Sequence, residues 1–120
     1  MEFGAPADHT EHHRPKTFDE IKGSILDPTG VFKYIQIDVH NSKTDQTRKV
    51  VRGYKSCGYH ADILNKFEHE ELSQCTDDLT CSCPGGGRIA HTPEEKKIHI
   101  YGYSQGFGLA DHQITQNILE

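Results

Sequence analysis

Gly30-Val31-Phe32-Lys33-Tyr34-Ile35-Gln36-Ile37-Asp38-Val39-His40 is the stretch that decides the fold. Over residues 31–40, Val31, Lys33, Ile35, Ile37 and Val39 fall on one side, while Phe32, Tyr34, Gln36, Asp38 and His40 fall on the other. A period of two is the mark of a β-strand. Lys33 is the anomaly, because its neighbours on that side are all aliphatic. An ammonium group there must either snorkel out at the end of the sheet or meet an anion.

Working outward, Thr29-Gly30 is a turn signal and opens the folded domain, expected to span 29–120. Residues 41–46 read as a polar hairpin connection and 47–54 as a second strand. A helix follows over 60–72, with Ile63, Leu64, Phe67 and Leu72 as its apolar stripe. Residues 73–87 are rich in Cys, Asp, Pro and Gly, and a loop is expected there. Two further strands, 88–91 and 97–103, are joined by a turn at Thr92-Pro93-Glu94-Glu95. Asp111 is suited to cap a last helix that runs to Leu119, with Ile114, Ile118 and Leu119 facing inward. This order of elements predicts an α+β protein, a mixed β-sheet covered by two main α-helices in a single domain. Residues 1–28 read as a polar N-terminal extension, partly disordered, with one short helix at 17–26 whose apolar side is Phe18, Ile21, Ile25 and Leu26. His9, His12 and His13 in that extension read as a solvated tail rather than a metal site.

At 120 residues the chain suits one domain. Its 18 acidic against 13 basic residues exclude a general nucleic-acid binder, which needs a basic face, but leave room for a local basic pocket. No apolar run approaches the roughly 20 residues of a membrane span. The N-terminus lacks an apolar signal core, so a cytoplasmic location is expected. Cys57, Cys75, Cys81 and Cys83 are then expected as thiols. No apolar heptad is present, and a monomer is expected.

Two stretches carry chemistry. In Gly58-Tyr59-His60-Ala61-Asp62-Ile63 a histidine stands where a loop turns into a helix. Free backbone N–H groups and the positive end of the helix dipole converge at such a place, and together they favour phosphate. A titratable imidazole beside them adds a base. In Ile98-His99-Ile100-Tyr101-Gly102-Tyr103-Ser104-Gln105-Gly106-Phe107-Gly108 a strand runs into three glycines, which let successive amides converge on one oxyanion. The spacing is neither a P-loop nor a dinucleotide fingerprint.

Together with these stretches, Gly30-Val31-Phe32-Lys33-Tyr34, Val51-Arg52-Gly53-Tyr54-Lys55, Tyr59-His60-Ala61-Asp62-Ile63, Cys83-Pro84-Gly85-Gly86-Gly87-Arg88-Ile89 and Lys97-Ile98-His99-Ile100-Tyr101-Gly102-Tyr103-Ser104 appear in family order. On those segments, covering about residues 29–115, the chain resembles the protein phosphohistidine phosphatases, the family of the fly janus and ocnus proteins. The resemblance implies a phosphatase that needs no metal or other cofactor. Its substrates would be phosphohistidine-containing proteins, whose P–N bond it cleaves, with related phosphoramidates such as phospholysine also accepted. It implies His60 as the essential histidine, acting as general base or nucleophile, and Lys33 as a substrate-binding lysine. It implies Ser104, Gln105 and Gly106 as the phosphate-gripping loop, with Ala61 lending an amide. Arg52 and Arg88 fall in matched segments as possible supporting residues. Family members continue past the last helix into another strand, whereas the sequence here stops at Glu120.

Two rival readings stay open at this stage. Cys75, Cys81, Cys83 and His91 are a possible zinc set. The same pocket could also serve a silent domain that binds phosphoprotein without turning it over. A cysteine phosphatase is excluded, because Arg88 follows Cys83 one residue too soon for a Cys-x5-Arg loop.

Overall fold

The computed structural model describes residues 15–120. The His9, His12 and His13 cluster and most of the expected disorder lie outside the described residues. The alternating stretch forms the 12-residue strand β2 (Gly30–Asn41). Ile35, Ile37 and Val39 on one side and Phe32 and Tyr34 on the other are all buried. A strand buried on both faces must run through the middle of a sheet with cover above and below. That is its place in the order β1-β3-β2-β4-β5, made of β1 (Ser24–Leu26), β2, β3 (Gln46–Gly53), β4 (Leu79–Thr92) and β5 (Lys97–Tyr101). β1 pairs with β3 in parallel and every other pairing is antiparallel, so the sheet is mixed.

Helix α1 (His60–Glu70) covers one face, setting Ile63 and Phe67 one turn apart against Ile35, Ile37, Val39, Val50 and Tyr54. Helix α2 (His112–Leu119) covers the other, over Phe32, Tyr34, Val51 and Ile89. The architecture is α+β, as expected. Asp111 caps α2 by accepting hydrogen bonds from the Gln113 and Ile114 amides at 3.1 and 3.4 Å. Thr115, rather than Ile114, points into the protein. Ile114 is exposed, while Ile118 and Leu119 pack against the core.

Three local expectations are corrected. The short helix at 17–26 is instead a single 3-10 turn, Phe18–Glu20, followed by β1. Ile21 is extended, and the Val51 amide donates to the Gly23 carbonyl at 2.8 Å, so this segment is drawn onto the sheet edge. Phe18 and Ile21, which sequence reasoning places before the folded domain, are buried in the α1-side core. The expected loop at 73–87 is mostly strand, because β4 already begins at Leu79. Its backbone supplies the partner that the long β2 needs along its whole length. Cys81 and Cys83 face the core while Thr80, Ser82 and Pro84 face out. Pro84, which has no N–H to give a ladder, sits where the β2–β4 register shifts between Gln36 and Asp38. The third correction concerns Arg52 and belongs with the site.

Candidate active site

The first residue of α1 stands over the glycines of β4. The side-chain positions of Gly86 and Gly87 point to opposite faces of the sheet. A Cβ on Gly86 would lie 2.8 Å from His60 Cδ2 and 2.7 Å from the Tyr34 carbonyl oxygen, so only glycine admits the imidazole here. His60 Nε2 is 2.9 Å from the Gly87 carbonyl. A carbonyl only accepts, so Nε2 carries the hydrogen and donates it. In the neutral ring the lone pair is therefore on Nδ1. Burial lowers the His60 pKa below the ordinary imidazole value; the bond to Gly87 opposes this, and the charges of Lys33 and Arg88 add to the lowering.

A cavity of about 750 Å³ opens beside this ring. Lys33, His60, Ala61, Ser104, Gln105 and Gly106 all line it, as does Arg88. The structure thus brings these sequence-derived candidates to one place. The anomaly of Lys33 has its physical setting here. Lys33 and Arg88 are directly opposite each other on β2 and β4. Like charges in that position repel, and among the described residues neither has a carboxylate partner. Among the described residues no acidic side chain lines the cavity, although the chain as a whole carries a net charge of −5.

The loop after β5 supplies amides. Ser104 is buried and spends its main chain on Gly108, donating from N at 3.1 Å and accepting at 2.8 Å. Its Oγ accepts from the Phe107 amide at 3.1 Å. Ser104 thereby builds the turn, and the amides of Gln105 and Gly106 are left without an acceptor among the described residues. Gly102 and Gly108 hold φ values of +75° and +95°, which β-carbon-bearing residues adopt only with strain. On the opposite rim, the His60 and Ala61 amides fall in the first turn of α1, where helices have no internal acceptor for them. The Asp62 carboxylate accepts from the Tyr59 amide at 3.2 Å and squares the start of that helix.

Arg52 does not join the cavity. It is fully buried and forked onto Glu71, at the far end of α1, through Nε at 2.8 Å and Nη2 at 2.7 Å. It also donates to the Val51 and Lys22 carbonyls. Its role is to tie α1 and the N-terminal segment to the sheet, which corrects its place among the possible supporting residues. The zinc set does not converge either. Cys81 is paired with Val39 on the α1 face, whereas His91 is paired with Gly30 on the opposite face. No group of three metal-ligating side chains occurs among the described residues. Cys57, Cys75, Cys81 and Cys83 are unbridged. Burial pushes the Cys81 and Cys83 thiols up to about 11, far from a nucleophilic thiolate.

The model of the Janus/Ocnus family matches residues 18–120. This chain belongs to the Janus/Ocnus family. Among its relatives, the sex-regulated protein janus-A of Drosophila melanogaster is 49% identical over 94 residues, 78% of this chain and 67% of that protein. The 14 kDa phosphohistidine phosphatases of Sus scrofa and Homo sapiens are 45% and 44% identical over 95 residues, 75% of this chain and 73% and 74% of theirs. The match begins at Phe18, a buried member of the α1-side core.

Sequence reasoning missed the carbonyl of Gly87 as the partner that fixes the His60 ring. The available signal was three consecutive glycines within a strand, a mark of close backbone approach. It also passed over His112, discussed below.

Proposed function

We propose that this protein is a phosphatase that hydrolyses the P–N bond of phosphohistidine in proteins, without a metal ion. The observation that carries this reading is the pair Lys33 and Arg88, without a carboxylate partner among the described residues, beside a neutral imidazole and free amides in a cavity that no described acidic residue lines. A dianionic phosphoryl group supplies the missing counter-charge. Lys33 and Arg88 neutralise its oxygens, while the amides of His60, Ala61, Gln105 and Gly106 hold them by geometry. A phosphoramidate nitrogen leaves readily once protonated, so the remaining task is to direct a nucleophile in line with it. His60 Nδ1 faces that task with its lone pair free, because Gly87 holds the other nitrogen. It takes a proton from the attacking water as general base. The names of the pig and human relatives support the substrate class. The same chemistry extends to phospholysine, and the unbridged cysteines support action in the cytoplasm.

The test is phosphate release from a phosphohistidine peptide in the presence of chelator, followed by ³¹P NMR, for the protein and its His60→Ala variant. Release by the first and near-loss by the second are expected. Tight binding with no release would identify a silent phosphoprotein reader, and release only after metal is restored would overturn the metal-free mechanism. A phosphoryl group trapped on His60 during a single turnover would replace the base with a nucleophile.

A further inference from the structure

His112 is the first residue of α2, on the face of the sheet away from the cavity. Its Nε2 lies 2.8 Å from the carbonyl of Gly102, so Nε2 donates and that carbonyl accepts. Gly102 opens the turn that carries Ser104, Gln105 and Gly106, and it lines the cavity itself. The other ring nitrogen, Nδ1, is 2.6 Å from the Tyr34 hydroxyl. Tyr34 is fully buried in β2, and its hydroxyl is 2.9 Å from Thr115 Oγ1. Thr115 Oγ1 in turn accepts from Gln36 Nε2 at 2.7 Å, and the same Gln36 amide donates to the Asp111 carbonyl at 2.7 Å. Directions along this chain are mutually consistent: Gln36 to Thr115, Thr115 to Tyr34, Tyr34 to His112, and His112 to Gly102.

We infer that His112 is a positioning residue, whose ring, locked from below by Tyr34, braces the Gly102 carbonyl and so sets the anion loop. The inference rests on the phosphate-binding reading of the cavity. A second contact supports it. A Cβ on Gly87 would lie 2.7 Å from His112 Cε1 and 2.5 Å from the Tyr101 carbonyl oxygen, so β4 is shaped to let this ring reach the loop. Gly87 therefore serves both histidines, giving its carbonyl to His60 on one face and its missing side chain to His112 on the other. The loop also hangs from β4 through Gly86, which donates to the Gly108 carbonyl at 3.1 Å and accepts from the Ala110 amide at 3.2 Å. His112 holds the near end of the loop while Gly86 holds the far end. Without the brace, the Gln105 and Gly106 amides lose the fixed aim on which oxyanion binding depends.

The experiment is titration of the protein with inorganic phosphate, read on the backbone amides of Gly102 to Gly106 by NMR and by calorimetry, for wild type, His112→Ala, His112→Gln and Tyr34→Phe. Loss of about one hydrogen bond's worth of positioning should weaken phosphate about fivefold in His112→Ala. His112→Gln keeps a donor for Gly102 and should recover to within about twofold. Tyr34→Phe, which leaves Nδ1 without its partner, should fall between them. A role in general stability alone predicts instead that phosphate affinity is unchanged in every folded variant. That result overturns the inference, as does a folded His112→Gln no better than Ala, or failure of wild type to bind phosphate. Hydrolysis of the phosphohistidine peptide is measured in parallel. Wild type that binds phosphate with the expected pattern but hydrolyses nothing refutes the proposed activity and leaves the brace standing.

Discussion

His60 opens α1 on one face of the sheet and His112 opens α2 on the other, and each donates its Nε2 hydrogen to a glycine carbonyl, Gly87 at 2.9 Å and Gly102 at 2.8 Å. The two rings differ at Nδ1. In His112 that nitrogen is taken by Tyr34. Among the described residues it has no partner in His60, and the ring lines a cavity with two cations, Lys33 and Arg88, that no described carboxylate pairs. On the proposed function and the inference above, the same residue, at the same helical position and with the same kind of anchor, serves as a brace on one face and a reagent on the other. What separates them is whether the second nitrogen is satisfied.

The largest expected effect sharpens that contrast. His60→Ala should lower kcat by about 10²–10⁴-fold, the usual worth of a positioned base, with the fold retained. The comparison breaks if that loss is under about tenfold, or if His112→Ala costs as much. Next comes Arg52, which separates scaffold from site. Removing one partner of a buried ion pair costs about 3–5 kcal/mol, so Arg52→Ala should lower the unfolding free energy by that order in a denaturant titration. Arg88→Ala, which relieves like-charge repulsion, should leave stability nearly unchanged and raise KM instead. Gly86→Ala thrusts a methyl group at the His60 ring, and a displacement near 1 Å should cost about 100-fold in kcat. A steady-state assay that finds Gly86→Ala fully active would remove the claim that this glycine seats the imidazole.

Smaller effects follow from charge. In the proposed mechanism His60 acts in its neutral form, and its pKa is depressed by burial, then by Lys33 and Arg88 against the Gly87 bond. Activity should therefore persist on acidification past about 6.5, the ordinary histidine value, and fall only as pH drops through the depressed pKa. Lys33→Met removes a positive neighbour, so the acid midpoint of kcat/KM should move upward. A midpoint that moves down, or stays, would separate Lys33 from His60. The smallest effect belongs to Gln105→Ala. The loop offers its main chain, and the side chain is exposed, so phosphate affinity should change by less than about twofold.

The parts of this arrangement that were legible in the sequence are those with a period or an anomaly. β2 announced itself by alternation, α1 by Ile63 and Phe67, and the cavity by Lys33 standing among aliphatic neighbours. β1 was not legible, because a three-residue parallel edge draws its stability from β3 rather than from its own residues. The first half of β4 was hidden by its cysteines, Pro84 and glycines, which lower strand propensity but satisfy contacts that only tertiary structure creates. α2 was placed correctly by Asp111, yet its inward residue is Thr115, since the space above Tyr34 and Gln36 calls for a hydroxyl rather than an isoleucine. Gly87 and Gly102 act through their carbonyls. A main-chain acceptor has no residue type of its own; the glycine run at 85–87 marked close backbone approach near the first anchor without naming the carbonyl, and the second had no such mark.

The most direct test of the contrast between the two rings is a long-range ¹H–¹⁵N NMR spectrum of His60 at neutral pH. Hydrogen on Nε2 with an unprotonated Nδ1 is the predicted result, and that Nδ1 signal should respond to added phosphate. Hydrogen on Nδ1, or a fully protonated ring at neutral pH, would contradict the account.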